Sequence, residues 1–249
     1  MKRNAWLFAV LLLSSACASR VAPPAMPAPD APTAQKAWAN HLSRFVDEKG
    51  RMDFRGMAHS PSDLETYLAR VAEIGPESFS TREAKLAFCI NTYNAVAMYD
   101  IIKSNFPPDL DKVKVTFFYK NRFEIGRRYT SLYDVENKVI RPMGDPRVHV
   151  ALNCMARGCP RLPREPFEAD KIDAQLDRQA REFYNEKRNV DLQPDKQTVR
   201  LSQILQFYTE DFTKKAPSLI AYVNQYREDK IPAGWKVEFI PYDWALNAQ

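Results

Sequence analysis

The sequence predicts an α+β fold: a single domain with a central buried helix packed against a small, mainly antiparallel sheet and surrounded by further helices. Three observations carry this. The stretch from Thr81 to Ser104 keeps helical spacing and, after Lys85, is apolar almost all round, the pattern of a helix enclosed by its own protein. Short β-rich runs bounded by turn residues lie between amphipathic helical stretches. The chain has 249 residues, 45% hydrophobic and 27% charged, which is ordinary globular usage and ample for one large core.

From the N-terminus, residues 34–46 read as a helix because Trp38, Leu42, Phe45 and Val46 share one face, and Glu48-Lys49-Gly50 ends it. Ser60-Pro61-Ser62-Asp63 starts a second helix that buries Leu64, Tyr67, Leu68, Val71 and Ile74, and Gly75-Pro76 stops it. The central helix follows. Asn91 and Asn94 lie one turn apart in it, on a shared face. A buried amide without partners costs roughly 1–3 kcal/mol, so something polar must meet that face. Pro107-Pro108 breaks this helix. Val113–Tyr119 then reads as a strand that Lys120-Asn121 turns into Arg122–Ile125, a hairpin. Thr130 and Ser131 cap a short helix over Leu132–Ile140. After Asp145-Pro146, Arg147–Asn153 reads as a buried strand. Ile172, Leu176, Ala180 and Phe183 mark a helix over 170–187. Val190–Leu192 and Thr198–Leu201 form a small hairpin, and Ser202 caps a short helix. Leu219–Val223 belongs to another helix, and Val237–Ile240 is the last strand. No internal repeat or second linker interrupts 35–249, so that span reads as one globular domain.

The first 17 residues read as a signal peptide. Lys2 and Arg3 precede a short apolar run, Trp6 to Leu13, too short for an ordinary membrane span. Ala16-Cys17-Ala18 fits cleavage after Ala18, whereas Leu13-Ser14-Ser15-Ala16-Cys17 resembles a lipobox with Cys17 as the lipidated residue. Residues 18–34 are Pro/Ala-rich without apolar periodicity, and such a chain stays extended at about 3 Å per residue. A tether of that kind favours the lipoprotein: an exported, periplasmic protein held at the outer membrane by a lipid on Cys17.

Composition excludes several classes. Lys and Arg number 36 against 31 Asp and Glu, and the charges are interspersed, so no nucleic-acid footprint is present. The 7 glycines form no nucleotide-binding loop. Three histidines and 4 cysteines, with the C-x4-C spacing of Cys154 and Cys159 lacking a fourth ligand, argue against a metal centre, and no cofactor is expected. In an oxidising compartment Cys154 and Cys159 can form a disulfide if the turn between them brings them close, which leaves Cys89 over.

Several segments carry a family resemblance. Leu86 to Ala95 reads LAFCINTYNA and is similar to AFWINxYNA; Arg147 to Pro160 reads RVHVALNCMARGCP and is similar to RxHFALxCxxxSCP. Ser131 to Arg141 resembles SLxDIExxxLR, Leu201 to Phe212 resembles LSxIxxWYxxDF, and Tyr242 to Asn247 resembles YDWxLN. Together they resemble the domain-of-unknown-function family 547, in order from about Trp38 to Asn247. Cys89 replaces the usual Trp, and Val150 the usual aromatic after His149. The resemblance implies no settled activity. A remote similarity to papain and transglutaminase folds implies a central helix against a sheet that carries a His.

Two functions follow. The preferred one is an exported domain that binds a cell-envelope ligand or partner, with Asn91, Tyr93, Asn94, Arg157, Cys159 and Asp243 as binding residues around His149. The alternative is an amide (peptide) hydrolase or transferase with Cys154 as nucleophile and His149 as base. On a straight strand residues 149 and 154 face opposite sides, so that pair needs a bend at Asn153. Arg157 is the candidate for lowering the thiol pKa. Cys89 is expected to be core packing, and His41 and His59 lie in unremarkable stretches.

Overall fold

In the computed structural model, which describes residues 19–249, the chain begins by lying along its own domain. The signal segment and Cys17 lie outside the described residues. The main chain of Ser19 and Val21 pairs with that of Arg122, at 2.8 and 2.9 Å, and Tyr99 donates to the Ala22 carbonyl. Within the stretch read as a tether, 18–34, Ser19 to Ala22 is therefore bonded to the domain, and residues 31–34 open the first helix. Helix α1 is Ala31–Phe45; Asp30 caps it by accepting from Thr33 N–H, and Pro32 stands in the first turn, where a missing N–H costs nothing.

Helices α2 (Phe54–His59) and α3 (Ser62–Glu73) lead to α4 (Arg82–Lys103). The expected boundaries of the central helix hold to a residue, and Leu86 to Ile101 is buried without a break. The helices α1, α2 and α3 pack round it in one core that also takes Phe123 and Ile125. These two side chains come from strand β1 (Phe123–Ile125), which pairs antiparallel with β2 (Arg128–Thr130).

This hairpin is not where the sequence put it. Val113–Tyr119 is no strand: Thr116–Lys120 is a π-helical turn, and the hairpin closes later, at Gly126-Arg127. Both turn residues have positive φ, 59° and 61°, which matches the twist of a two-residue hairpin. Ser131 then caps helix α5 (Leu132–Asp134), continued by a π-helical stretch Val135–Ile140.

The second correction concerns His149. Pro146–Val150 is a 3-10 helix, and Arg147–Asn153 belongs to no sheet. Asp145 accepts from Arg147 N–H and Pro146 fixes the first φ, so the run starts as a helical turn. A short buried apolar run carries no period that tells strand from helix. Its main-chain groups find partners on α4 instead of on a strand: Asn94 donates to the Ala151 carbonyl at 3.1 Å and accepts from Asn153 N–H at 2.8 Å.

Helix α6 (Ile172–Asn185) crosses to a second core. There β3 (Val190–Gln193) pairs antiparallel with β4 (Thr198–Ser202), and β4 pairs in parallel with β5 (Lys236–Ile240). Between the strands run α7 (Gln203–Phe207), α8 (Thr209–Thr213) and α9 (Leu219–Val223). The last eight residues stitch the molecule together. Trp244 C=O accepts from Leu110 N–H, Ala245 C=O from Arg157 N–H, and Asn247 pairs with Met52 and Met155. This seam brings Tyr242 over the loop 154–159.

Candidate functional site

Segments far apart in sequence converge on a cavity of about 80 Å³ between the two cores. Its walls include Tyr93 from α4, Glu136 from the π-helical stretch, His149 from the 3-10 turn, and Cys154 and Cys159 from the loop beyond it. Tyr208 follows α7, and Tyr242 comes from the C-terminal seam. Phe118, Phe207 and Trp244 line it as well, and of these Phe207 is exposed.

The loop that carries the thiols is tightly wound. Asn153 accepts from Met155 N–H at 2.8 Å and donates to the Pro160 carbonyl at 2.7 Å. Met155 takes a left-handed φ of 72°, unusual for a residue with a side chain. Gly158 lets Tyr242 approach: a Cβ there would lie 2.8 Å from the ring. As a result Cys154 Sγ and Cys159 Sγ are 2.9 Å apart, both reduced, and the Tyr242 hydroxyl is 3.1 Å from the first and 3.0 Å from the second.

The two thiols are not equivalent. Cys154 is pushed well above the usual thiol range by its hydrogen bond to Cys159 and by burial. For Cys159 burial acts upward, but it is outweighed by donors from Cys154 S–H, Tyr242 O–H and main-chain N–H groups, so its pKa is lowered. One of these is Cys154 N–H, 3.0 Å from Cys159 Sγ. Of the two, Cys159 is therefore the thiol whose ionised form its surroundings favour, and not Cys154, the expected nucleophile.

His149 is buried and stacked on Tyr208, with ring centroids 3.8 Å apart. Its Nε2 lies 2.9 Å from Asp211 Oδ2, and the same oxygen accepts from Arg141 Nε at 2.7 Å. A carboxylate only accepts, so Nε2 carries the proton and Nδ1 is the acceptor of the neutral ring. The His149 hydrogen bond and Arg141 hold the Asp211 carboxyl far below its usual range. Deeper in, Tyr93 donates to the buried Glu136 at 3.3 Å. The Tyr208 hydroxyl is pushed up by burial and then by Glu136.

The structure divides the expected residues. His149, Cys154, Cys159 and Tyr93 share the cavity. Asn91 and Asn94 do not line it. Asn91 accepts from Trp38 Nε1 and Phe167 N–H and donates to the Phe167 carbonyl, so both amides staple α4 to neighbouring chain. Arg157 and Asp243 line a separate cleft of about 480 Å³ with Lys49, Arg51, Arg161 and Arg188. Arg157 is accordingly not among the groups that act on Cys159. Cys89 faces a third space of about 640 Å³, where burial pushes its thiol to about 12. Among the described residues no group of three or more His, Cys, Asp or Glu is placed to hold a metal ion. His41 is wholly buried, and neither ring nitrogen has a partner.

Asp211, Tyr208 and Tyr242 were not singled out for the cavity by sequence reasoning. Each falls in a quoted motif, but a motif does not say which segments meet. No curated protein and no solved structure matches this chain, so the papain and transglutaminase similarity has no counterpart there. Residues 76–184 match the family model described as "Protein of unknown function, DUF547". The matched segment holds Tyr93, Glu136, His149 and both thiols, while Tyr208, Asp211 and Tyr242 lie beyond it. Over residues 76–184, then, the chain is similar to the domain-of-unknown-function family 547.

Proposed function

We propose that this chain is an exported cell-envelope domain, periplasmic and held at the outer membrane by a lipid on Cys17, that takes the end of an envelope ligand into the cavity beside His149. One observation supports this most: polar side chains from segments far apart in sequence meet at a void, where apolar packing would have served stability equally well. The void of about 80 Å³ suits a terminal group of a few heavy atoms, with the rest of the ligand outside along Phe207, Phe118 and Trp244. Glu136 and the acceptor nitrogen of His149 stand beside tyrosine donors, which suits a group that both donates and accepts, such as an amide.

The test is titration of the mature chain with soluble muropeptides, read by tryptophan fluorescence, because Trp244 packs on Tyr242 with centroids 4.6 Å apart. A saturable change is expected, weakened at least about tenfold by Phe207→Ala, the loss of one buried aromatic contact. No response, or one indifferent to Phe207→Ala, overturns the reading. Mass spectrometry of the mature N-terminus checks the anchor: acylated Cys17 is expected, and an unmodified chain from Ser19 removes it.

The alternative, amide cleavage by Cys154 with His149 as base, draws on the cavity that both residues line. It is less well supported, because Cys154 has Cys159 and Tyr242 as partners and its thiol is pushed up. Muropeptide cleavage abolished by Cys154→Ser would favour it over simple binding.

A further inference from the structure

The thiol pair has a property that neither ligand binding nor amide cleavage uses. We propose that Cys154 and Cys159 form a peroxide-oxidisable dithiol, in which hydrogen peroxide oxidises Cys159 first and Cys154 resolves it to a disulfide.

Geometry selects the pair. The sulfurs are 2.9 Å apart, and a disulfide bond is about 2.05 Å, so closure needs a shift of less than an ångström. Three donors converge on Cys159 Sγ: the Cys154 thiol at 2.9 Å, Cys154 N–H at 3.0 Å and the Tyr242 hydroxyl at 3.0 Å. Such donors favour the thiolate, which is the reactive form. Cys89 has no comparable set and its thiol stands at about 12.

Size selects the oxidant. Cys159 is 2% exposed, and it is reached from a cavity of about 80 Å³. Water takes ~30 Å³ in the liquid, so a peroxide of two heavy atoms fits and a protein or glutathione disulfide does not. The step balances as follows. The Cys159 thiolate forms an S–O bond, the O–O bond breaks, and the departing hydroxide takes a proton from solvent and leaves as water. Cys154 then attacks the sulfenic sulfur, the S–S bond forms, and the second hydroxide takes the Cys154 proton and leaves as water. The two sulfurs lose two electrons in all, and the peroxide gains them.

The experiment uses the mature chain prepared under reductant, freed of it, and treated with stoichiometric hydrogen peroxide. Thiol counting and intact mass are expected to show two thiols and two hydrogens lost, with Cys89 still free. Cys154→Ser should stop at one added oxygen, placed on Cys159 by peptide mass. Cys159→Ser should react at least about tenfold more slowly, since the remaining thiol is the disfavoured one. Tyr242→Phe keeps the ring packing, removes one donor and should slow the reaction several-fold, which guards against a serine variant that fails to fold. A pair already bonded before oxidant is added is a structural disulfide and overturns the proposal. So does oxidation of Cys89 first, or oxidised glutathione reacting as fast as peroxide. The muropeptide titration is separate: binding is read by fluorescence on the reduced chain without oxidant, and oxidation by thiol count and mass without ligand, so either reading can fail alone.

Discussion

Helix α4 carries two buried polar clusters that the sequence makes look alike and the structure makes opposites. Asn91 and Asn94 meet Trp38 and the main chain of Phe167, Ala151 and Asn153, so that every amide oxygen and nitrogen of the two has a partner. Tyr93, between them in sequence, points to a cluster whose members bond chiefly to one another's side chains and border a void. Polar groups spent on the main chain hold the fold together. Polar groups spent on each other around empty space leave capacity for something else. Burial alone does not separate the two, since Asn91 and His149 are equally buried at 4% exposure.

Substitution in each cluster is the harshest test of that contrast. Asn91→Ala orphans Trp38 Nε1–H and both main-chain groups of Phe167, at roughly 1–3 kcal/mol per buried group, so a loss of about 4 kcal/mol is expected in urea unfolding. Cys159→Ser keeps a hydroxyl where the sulfur was and should cost about 1 kcal/mol or less, the range of a conservative change with partners retained. Equal losses would erase the distinction.

The legible part of the molecule is the part whose signals are local. Helix α4 stood out because its apolar run is long, and Ser131 and Ser202 cap helices as expected because a cap is read from a few neighbouring residues. The His149 segment was misread because a short apolar run after Pro146 has no period, and what decides its backbone is Asn94, far away in sequence. The hairpin was placed too early because Val113–Tyr119 has strand composition, whereas the turn is set by Gly126-Arg127. The site was half legible for the same reason. Cys154 and Cys159 could be paired by spacing, but Tyr242 and Asp211 reach them and His149 only through the second core and the C-terminal seam.

Acid titration sharpens the contrast further, because the first core holds two buried ionisable groups that oppose each other. Burial lifts Asp100 from 3.8 to about 6, partly offset by donors on Asn121 and Ser104. Its folded form holds the proton more tightly, so its contribution is present below pH 3.8 and is lost as pH rises through 6. Burial, with Arg44 nearby, lowers His41 from 6.5 to about 4. Its contribution is present above pH 6.5 and is lost as pH falls through 4. Each shift is on the order of 3 kcal/mol, so from these two groups the change between pH 7 and 4 is nearly nil. Asp100→Asn should therefore make stability fall on acidification over that window, and His41→Phe should make it rise. Urea unfolding at several pH values reads both slopes; slopes of one sign would break the assignment.

The smallest expected effect falls on the void side and concerns a single methyl group. Gly158→Ala sets a Cβ against Tyr242 Cδ2 at 2.8 Å and the Asp243 nitrogen at 3.0 Å, so the C-terminal seam must shift. Overpacking of this kind costs about 1–3 kcal/mol, and here the low end is expected, because the seam keeps its main-chain bonds to Leu110, Met52 and Met155 while its Tyr242 end shifts. The consequence is chemical more than thermodynamic. Moving Tyr242 away strips a donor from Cys159, so the variant should unfold at nearly the wild-type urea concentration while its thiols react with peroxide as slowly as those of Tyr242→Phe. Stability and reactivity that fell together would mean the void-side groups hold the fold as the amides do, and the two clusters would differ only in appearance.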